Sequence, residues 1–485
     1  MDILSKETAA KRDFGSFHSS NVEQLISQNE ETYKPPILDV VFPTAEYSNL
    51  ALKFGSRELK KTLFYLTDEF CFLNHGAFGV SLKPVIEYVN KWKEYAESQP
   101  LRFYDRKIMP LLVDVIRIFA RDVFKCKPSQ LALVDNCTFA FSSIVNRIKL
   151  NPGEKILIFS TTYGVFKKIL REKCDESKAI LVEELIKFPI NTEPDLKEKF
   201  VGRLKTLLDE DESSRKIKHI FVDHIPSNQP FLVPINELAE LSKSRRPDIL
   251  FIVDAAHTLG SYQIANLNLR LIDVLFTNCH KWFCGPKGTA ILYINEQLGG
   301  SFIKPAVRSH GINSGFNSEF VWSGLKEYSS FLGLYANFEL WSKCLGGLPN
   351  AISYCTNLAK EAGSYLTKAW STDYLVDPQL CSTMLCVRLP DLFVAGVLRD
   401  ANQENNNSSS NDGSGQKLNY DQAELIQNYF YFKHSIEVPI KCVQNVLYVR
   451  ISSHIYNNMD DYIFLSNVVL EYIVKNYLTD SYACS

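Results

Sequence analysis

Short runs with continuous apolar cores recur along the first two thirds of the 485-residue chain. They occupy residues 131–134, 155–159, 179–183, 217–222, 249–253, 274–276 and 289–294. Runs that do not alternate with polar residues are typical of strands covered on both faces. Stretches with helical spacing separate several of the runs, for example at 165–173, 194–208 and 234–244. This alternation predicts an α/β fold, with a mostly parallel sheet and helices on both of its sides.

Polar residues follow five of these runs directly. They are Asn136, Thr162-Tyr163, Asp223-His224, Asp254 and the segment 278–281. Because ligands gather at the carboxyl ends of parallel strands, the five groups predict one binding site at one edge of the sheet. A polar turn at 135–138 also precedes a helical pattern at 139–148. Such a helix start can hold a phosphate, although an ordinary N-cap is the better explanation of this stretch taken alone.

Lys281 is the most informative residue of this edge. It lies just past the run that ends at Phe276 and is followed by a Gly-Pro-Lys-Gly turn at 285–288. Asp254 ends the preceding run. A lysine, a carboxylate and a glycine turn at neighbouring strand ends indicate a site that holds an aldehyde cofactor as a Schiff base.

Composition excludes several other classes of protein. The 53 basic and 55 acidic residues give a net charge of -2, so there is no electrostatic case for nucleic acid or an anionic membrane. No apolar run approaches the roughly 18 residues of a membrane span, and no signal peptide is evident. We therefore expect a cytoplasmic protein. The 12 cysteines are dispersed without a C-x-x-C pair, so we expect reduced thiols and no metal site.

The chain divides into three predicted parts. Residues 1–45 are polar and predict a flexible arm. Residues 46–325 comprise an N-terminal segment and the large domain. Residues 326–485 form a smaller α+β domain with strands at 384–389 and 446–452 and a final helix at 460–477. Its polar, low-complexity stretch at about 402–417 predicts a disordered insert.

Four motifs occur in a fixed order: F-L-N-H-G-A-F-G at 72–79, V-D-A-A-H-T-L-G at 253–260, N-C-H-K-W-F-C-G-P-K-G at 278–288 and V-R-I-S-S-H-I-Y-N at 449–457. With them the chain resembles the class V (NifS-like) family of pyridoxal-phosphate (PLP) enzymes, nearest to its isopenicillin N epimerase-like branch. The resemblance implies an aspartate-aminotransferase-like fold with a mostly parallel seven-stranded sheet, and a homodimer with its active site at the subunit interface.

The resemblance also implies roles for residues that would hold the cofactor ring. Lys281 is similar to the lysine that forms the Schiff base and moves the α-proton. Asp254 corresponds to the carboxylate that faces the pyridine nitrogen and keeps the ring an electron acceptor. His257 corresponds to the hydrogen-bond partner of the phenolic oxygen, with a satisfied structural histidine as the alternative. Tyr163 would stack on the ring, with a core tyrosine as the alternative, and Asp223 belongs to a D-H motif beside it.

Phosphate and substrate contacts are implied in the same way. Thr138 and Cys137 would bind the phosphate at the helix start, together with Asn278 and His280. Arg450 would pair with the substrate α-carboxylate, a task that suits a planar guanidinium. We expect Asn74 and His75 at the substrate mouth.

Two departures from the family pattern concern the site. Leu325 replaces a threonine that reaches the phosphate of the other subunit in relatives, so that contact is missing or is made by Ser323. The loop that begins at Ser227 ends in Pro230 where a glycine is common, which reshapes substrate access.

The sequence leaves several reactions open, because Lys281 and Asp254 serve all of them. A persulfide-forming desulfurase is not expected, since the loop window 404–416, where relatives carry the thiol, has no cysteine. We favour a carbon–sulfur lyase acting on a small amino acid by desulfhydrase-like β-elimination. An epimerase, which would need a second acid–base group such as Tyr163 or His257, and an aminotransferase are the alternatives. A non-catalytic scaffold is the alternative of another class.

Overall fold

The computed structural model describes residues 19–404 and 417–478. Residues 1–18 of the predicted arm lie outside the described residues. So do residues 405–416, which make up most of the predicted insert.

A seven-stranded sheet forms the centre of the molecule. The strands of the described residues are β1 (Cys71–Phe72), β2 (Leu131–Val134), β3 (Lys155–Phe159), β4 (Ile180–Glu184), β5 (Ile217–Asp223), β6 (Leu250–Asp254), β7 (Val274–Asn278), β8 (Ala290–Ile294), β9 (Met384–Arg388), β10 (Ile436–Glu437), β11 (Ile440–Val443) and β12 (Val446–Ser452). The central sheet has the order β2-β8-β7-β6-β5-β3-β4. Strand β8 runs in the opposite direction to the other six strands of this sheet. The predicted mostly parallel seven-stranded sheet is confirmed.

Helices cover the sheet and build the rest of the molecule. The α-helices of the described residues are Ser19–Ser27, Thr44–Ser48, Arg57–Leu63, His75–Phe78, Lys83–Ser98, Pro100–Arg102, Ile108–Ile118, Cys137–Val145, Gly164–Ser177, Glu193–Lys197, Arg203–Glu210, Ile235–Arg245, Phe316–Val321, Ser329–Glu339, Leu348–Trp370, Asp391–Glu404, Tyr420–Asn428 and Met459–Ile473. Several continue into wider π-helical turns, as at Phe119–Phe124 and Val474–Leu478. No helix in this part of the chain has the length and apolarity to cross a bilayer.

The carboxyl ends of three central strands bring polar residues together. Strands β6, β7 and β8 are buried along their whole length, as expected for apolar runs covered on both faces. β5 ends in Asp223, β6 in Asp254 and β7 in Asn278. Asp223 and Asp254 are paired in the parallel register, so the two carboxylates lie side by side.

The C-terminal part contains a small antiparallel sheet, β11-β12-β9. The N-terminal segment attaches to this part, because β1 pairs in parallel with β10. The backbone of Gly55 also donates to Ile455, and that of Ser452 donates to Leu73. Residues 55–73, in the N-terminal segment of the range 46–325, therefore contact the C-terminal part. The domain limits stay predictions.

The predicted flexible arm needs a correction for residues 19–45. Val22 and Ile26 of helix Ser19–Ser27 are buried in the main core. The guanidinium of Arg117 donates to the backbone carbonyls of Leu25 and Ile26 at 3.0 and 3.2 Å. This helix is therefore packed against the large domain.

Candidate active site

Lys281 lies in a tightly bonded loop between β7 and β8. The N–H groups of Gly285 and Cys284 donate to the carbonyls of Cys279 and Lys281, both at 2.9 Å. The carbonyl of Phe283 accepts from the indole of Trp341 at 2.9 Å. Because these carbonyls are satisfied by buried donors, the loop holds the lysine backbone in one position.

Two glycines allow other segments to approach this loop closely. Gly79 has φ +65°, and a Cβ there would lie 2.1 Å from the carbonyl oxygen of His280. Gly260 has φ +90°, and its Cβ would lie 2.4 Å from the carbonyl carbon of Trp282. No other residue fits either place, so the motifs at 72–79 and 253–260 both support Lys281.

The Lys281 side chain lies half-buried beside His257. Its Nζ lies 3.1 Å from Nε2 of His257, and Nδ1 of that ring accepts the indole N–H of Trp282 at 3.2 Å. Burial lowers the pKa of both Lys281 and His257, which favours a neutral amine beside a neutral imidazole. Since Nδ1 accepts, the proton of the neutral ring lies on Nε2 and points at the lysine.

Replacing Trp282 by phenylalanine tests this arrangement. In W282F the tautomer of His257 is no longer fixed, because Nδ1 loses its donor. We expect kcat to fall about tenfold, which corresponds to roughly the free energy of one hydrogen bond. We also expect the pH profile of kcat to shift. The matched control is W341F, which also loses one buried indole hydrogen bond, to the Phe283 carbonyl. An equal fall in both variants, without a change in pH profile, would show that Trp282 is only a packing residue.

Asp254 and Asp223 form a buried carboxyl pair. An oxygen of Asp254 accepts from the N–H of Ala256 at 2.8 Å, and one of Asp223 accepts from the N–H of Tyr163 at 3.1 Å. Burial raises the pKa of Asp254 to about 6. Burial and the neighbouring Asp254 also raise the pKa of Asp223. A cationic group beside Asp254 would favour its ionised form.

The raised pKa of Asp254 gives a stability prediction for the ligand-free protein. Between the ordinary value of 3.8 and about 6, the folded state binds more protons at Asp254 than the unfolded state does. Its free energy of unfolding therefore falls as pH rises through this window. Relative to wild type, D254N should gain about 2–3 kcal/mol between pH 4 and pH 7. Urea unfolding at the two pH values measures this difference.

Asp248 supplies a control of opposite sign. The Arg246 guanidinium lowers the pKa of Asp248 to about 2. Its contribution to stability is therefore present above the ordinary pKa and is lost as pH falls toward 2. D248N should destabilise the protein at pH 7 and have less effect at low pH. A pH-independent effect of D254N would contradict the account of Asp254.

Helix Cys137–Val145 begins at the same edge. The side-chain oxygen of its N-cap, Asn136, accepts from the N–H of Phe139 at 2.8 Å. That of Asn278 accepts from the N–H of Cys137 at 3.1 Å. This corrects the prediction for Cys137, since its N–H is occupied and its thiol is buried. Of the first three helical N–H groups, that of Thr138 alone has no partner within the described residues, and its side chain is exposed.

Two further polar atoms of the site region are buried without a partner among the described residues. They are Oγ1 of Thr162 and Nδ1 of His280. Burial lowers the pKa of His280 to about 4. Buried polar atoms are rarely left unpaired, so both point to a polar ligand at this edge.

Arg450 of β12 is 1% exposed and lies in the wall of the site. Its guanidinium donates to the carbonyl of Ser227 at 2.5 Å and to the side-chain oxygen of Asn74 at 3.1 Å. Its Nε is buried without a partner, and no carboxylate lies within 4 Å in the described chain. Burial lowers its pKa to about 10. Such an uncompensated buried cation is costly unless an anion binds to it.

His75 does not lie at the substrate mouth, which corrects that prediction. Its ring is fully buried behind the lysine loop, where Nδ1 lies 2.9 Å from the hydroxyl of Tyr456 and Nε2 lies 3.1 Å from the carbonyl oxygen of Lys281. The ring stacks on His454 at a centroid distance of 4.0 Å. His75 is therefore a support of the lysine backbone.

His75, His454 and Cys284 also form the one group of the described residues whose side-chain spacing could hold a metal. The Nε2 atoms of the two histidines already lie 3.1 and 3.3 Å from backbone carbonyl oxygens. The group is better described as a hydrogen-bonded support than as a metal site.

The remaining predicted residues lie around the opening. Tyr163 is 40% exposed and packs edge-on against Phe166. Leu325 is 74% exposed, and the N–H of Ser323 donates to the hydroxyl of Tyr328. The roles assigned to Tyr163, Thr138, Asn278 and His280 stay predictions.

Three residues important to the geometry had no predicted role. Trp282 and His454 stand inside the motifs at 278–288 and 449–457, so position in a motif could have indicated them. Glu437 has no such signal, because only the pairing of β10 with β1 brings it to the site.

Comparison with known proteins is consistent with this geometry. The family model described as Aminotransferase class-V matches residues 196–327. Two Arabidopsis thaliana proteins, "Probable L-cysteine desulfhydrase, chloroplastic" and "L-cysteine desulfhydrase", are each 24% identical to this chain. These matches cover 89% and 84% of this chain and 88% of each relative. "Hercynylcysteine sulfoxide lyase" of Schizosaccharomyces pombe is 21% identical over 86% of this chain and 97% of its own.

Solved structures share the fold. A C-DES mutant with glycine covalently linked to its PLP cofactor has a TM-score of 0.64 at 13% identity, over 83% of this chain and 96% of that one. The cystine C–S lyase C-DES with its product cysteine persulfide has a TM-score of 0.63 at 15% identity, over 83% and 97%. The fold and the buried lysine site thus define an α/β protein of the aspartate-aminotransferase-like type. The family-model match and the named relatives support the class V aminotransferase family for this chain, whereas the narrower isopenicillin N epimerase-like branch is not confirmed.

Proposed function

We propose that this chain is a PLP-dependent carbon–sulfur lyase that acts on cysteine or a related sulfur amino acid. The observation that carries the proposal is a pair of basic side chains, the half-buried Lys281 with its lowered pKa and the buried Arg450, neither of which has a carboxylate within 4 Å in the described chain. An amino acid bound through its amino and carboxylate groups would use both. The desulfhydrase and lyase names of the relatives support the choice of reaction.

The residues present fit the cofactor. Lys281 offers a buried amine whose lowered pKa favours the nucleophilic, neutral form. Asp254 offers a buried carboxylate that a protonated ring nitrogen would stabilise. Thr138 and the unpartnered His280 would hold the phosphate. When bound, PLP supplies an electron sink that labilises bonds at the α-carbon of an amino acid.

Lys281 performs the proton transfers in this proposal. Its neutral Nζ removes the proton from the substrate α-carbon. His257, with Nε2 at 3.1 Å from Nζ, orients the amine, and Trp282 fixes the tautomer of His257. The carbon–sulfur bond then breaks with its electron pair on sulfur, and Nζ holds the proton that the departing sulfur requires.

Arg450 orients the substrate. Ser227 and Asn74 anchor two nitrogens of its guanidinium, and its unpartnered Nε remains for the α-carboxylate. A carboxylate held at this point aligns the α-proton with Lys281 for every substrate that shares the amino-acid core.

Cysteine chemistry disfavours a persulfide-forming desulfurase. Every cysteine in the described residues has a raised pKa, with burial as the first cause. A protonated, buried thiol is a poor nucleophile. The window 404–416 contains no cysteine in the sequence. Sulfur is therefore expected to leave as free thiol or sulfide.

The products distinguish this lyase from the alternatives. With L-cysteine, the proposal predicts sulfide, pyruvate and ammonia in equal amounts. A desulfurase would yield alanine, an epimerase would yield D-cysteine without sulfide, and an aminotransferase would require a keto acid. Alanine as the main product, or no reaction with any sulfur amino acid, would overturn the proposal.

We also propose a homodimer. Phe78 and Leu325 are each 74% exposed although both lie next to the site. The carbonyl of Phe78 accepts from the side chain of Lys287. Lys326, next to Leu325, forms an ion pair with Asp135, which lies just before helix Cys137–Val145. A second copy would cover these apolar side chains. Sedimentation as a fully active monomer would contradict the homodimer.

The cytoplasmic location stays a prediction, and the name of the first Arabidopsis relative states the chloroplast for that protein.

A further inference from the structure

A cavity opens beside Asn74, a residue of the proposed substrate site. It has a volume of about 280 Å³, and its lining includes Asn74, Phe78, Tyr431 and Glu437. The parallel pairing of β1 with β10 places Glu437 opposite Phe72, two residues before Asn74. The cavity therefore follows directly from the attachment of the N-terminal segment to the C-terminal part.

Asn74 connects this cavity to the carboxylate anchor. Its side-chain oxygen accepts from Arg450 at 3.1 Å, and its side-chain nitrogen donates to Oε1 of Glu437 at 3.2 Å. The side-chain amide of Asn74 thus lies between the guanidinium of Arg450 and the carboxylate of Glu437. A ligand with its α-carboxylate at Arg450 would have to extend past the Asn74 amide for its other end to meet Glu437.

Glu437 has the properties of a binding group for a cation. It is half-buried, burial raises its pKa, and within the described residues its side chain has Asn74 as its one hydrogen-bond partner and no basic partner within 4 Å. Two exposed aromatic side chains share the cavity: Phe78 at 74% and Tyr431 at 39% exposure. A carboxylate next to aromatic rings is the combination that recognises ammonium groups.

We propose that the preferred substrate is a cysteine S-conjugate or disulfide whose group beyond the sulfur carries a positive charge, which Glu437 binds. This inference rests on the proposed function, since it concerns the substrate of the same site. The side chain of cysteine alone is much smaller than a cavity of about 280 Å³. A longer substrate would place its α-carboxylate at Arg450 and its distal ammonium at Glu437.

For a thioether of this kind the reaction balances with water alone. The substrate R–S–CH2–CH(NH3+)–COO− and one water give R–SH, pyruvate and ammonium. The Cβ–S bond breaks, its electron pair stays on sulfur, and sulfur gains one proton. Carbon and sulfur need no external oxidant or reductant.

Two substrates of equal length test the proposal: S-(2-aminoethyl)-L-cysteine, which ends in an ammonium, and S-propyl-L-cysteine, which ends in a methyl group. Pyruvate formation gives kcat/KM for each with the holoenzyme. We expect the wild-type protein to prefer the aminoethyl compound at least tenfold. In E437Q the ratio of the two kcat/KM values should approach one. The ratio cancels any general effect of the substitution on Asn74 or on folding.

A second variant protects the test against a misfolded E437Q. Tyr431 is largely at the surface, so Y431L should fold and should lower the preference about threefold. A wild-type ratio near one, or a tenfold ratio that E437Q and Y431L both retain, would overturn the proposal. Absence of pyruvate from both thioethers and from L-cysteine would instead overturn the proposed function, and with it this inference.

Discussion

The K281A variant should lose at least about 10³-fold in kcat and all visible absorption due to covalently held cofactor. The expected loss is large because one atom, Nζ, both attaches the cofactor and carries the proton. The Nζ atom is buried and lies 3.1 Å from His257. Absorption spectra and pyruvate formation, measured on the same preparation after incubation with PLP, test both consequences together.

Lys287 provides the matched control. It stands six residues further along the same loop, and its Nζ donates to the carbonyls of Phe78 and Gly79, both at 2.8 Å. K287A removes a lysine near the site without touching the proposed attachment point. It should keep the visible band and most of the activity. Equal losses in K281A and K287A would mean that the loop needs its charges in general.

The second large effect concerns Arg450. In R450Q, kcat/KM should fall about 100-fold, equivalent to ~3 kcal/mol, and most of the fall should be in KM. Thermal stability of the ligand-free protein should not fall, because the lost charge is buried and has no carboxylate within 4 Å among the described residues. The absorption of bound cofactor should be unchanged. Steady-state kinetics with L-cysteine and thermal unfolding measure the two sides of this prediction.

Arg117 is a control with the opposite expectation. It is also 1% exposed, but it pairs with Glu30 and donates to carbonyls at the end of helix Ser19–Ser27. R117Q should therefore destabilise the protein by a few kcal/mol and leave KM unchanged. If R450Q lowered stability as R117Q does and left KM unaltered, Arg450 would be a structural residue.

The sheet could be predicted because its strands are local signals. Each is a short apolar run with polar residues near its end, and the predicted limits differ from the observed ones by at most two residues. Asp254 and Asn278 end two of these strands, and Lys281 follows three residues after the second. This half of the site could therefore be predicted from the order of the strands along the chain. The register of β5 and β6 then places Asp223 beside Asp254.

Other parts depend on contacts between distant segments and have no local signal. The pairing of β1 with β10 covers two residues on each strand, too few to show a pattern, yet it places Glu437 beside Asn74. His75 looked like a substrate residue because it lies in a motif, and the structure buries it behind the lysine loop. Helix Ser19–Ser27 has no clear sequence signal because its apolar positions, Val22, Leu25 and Ile26, are few in a polar stretch.

The most direct test of the account is to locate the cofactor chemically. Purified protein incubated with PLP would be reduced with borohydride, digested and mapped by mass spectrometry. The account predicts a pyridoxyl group on Lys281 and none on Lys287, with the modification lost when reduction follows prior removal of PLP. A pyridoxyl group on another lysine, or none at all, would contradict the assignment of this site.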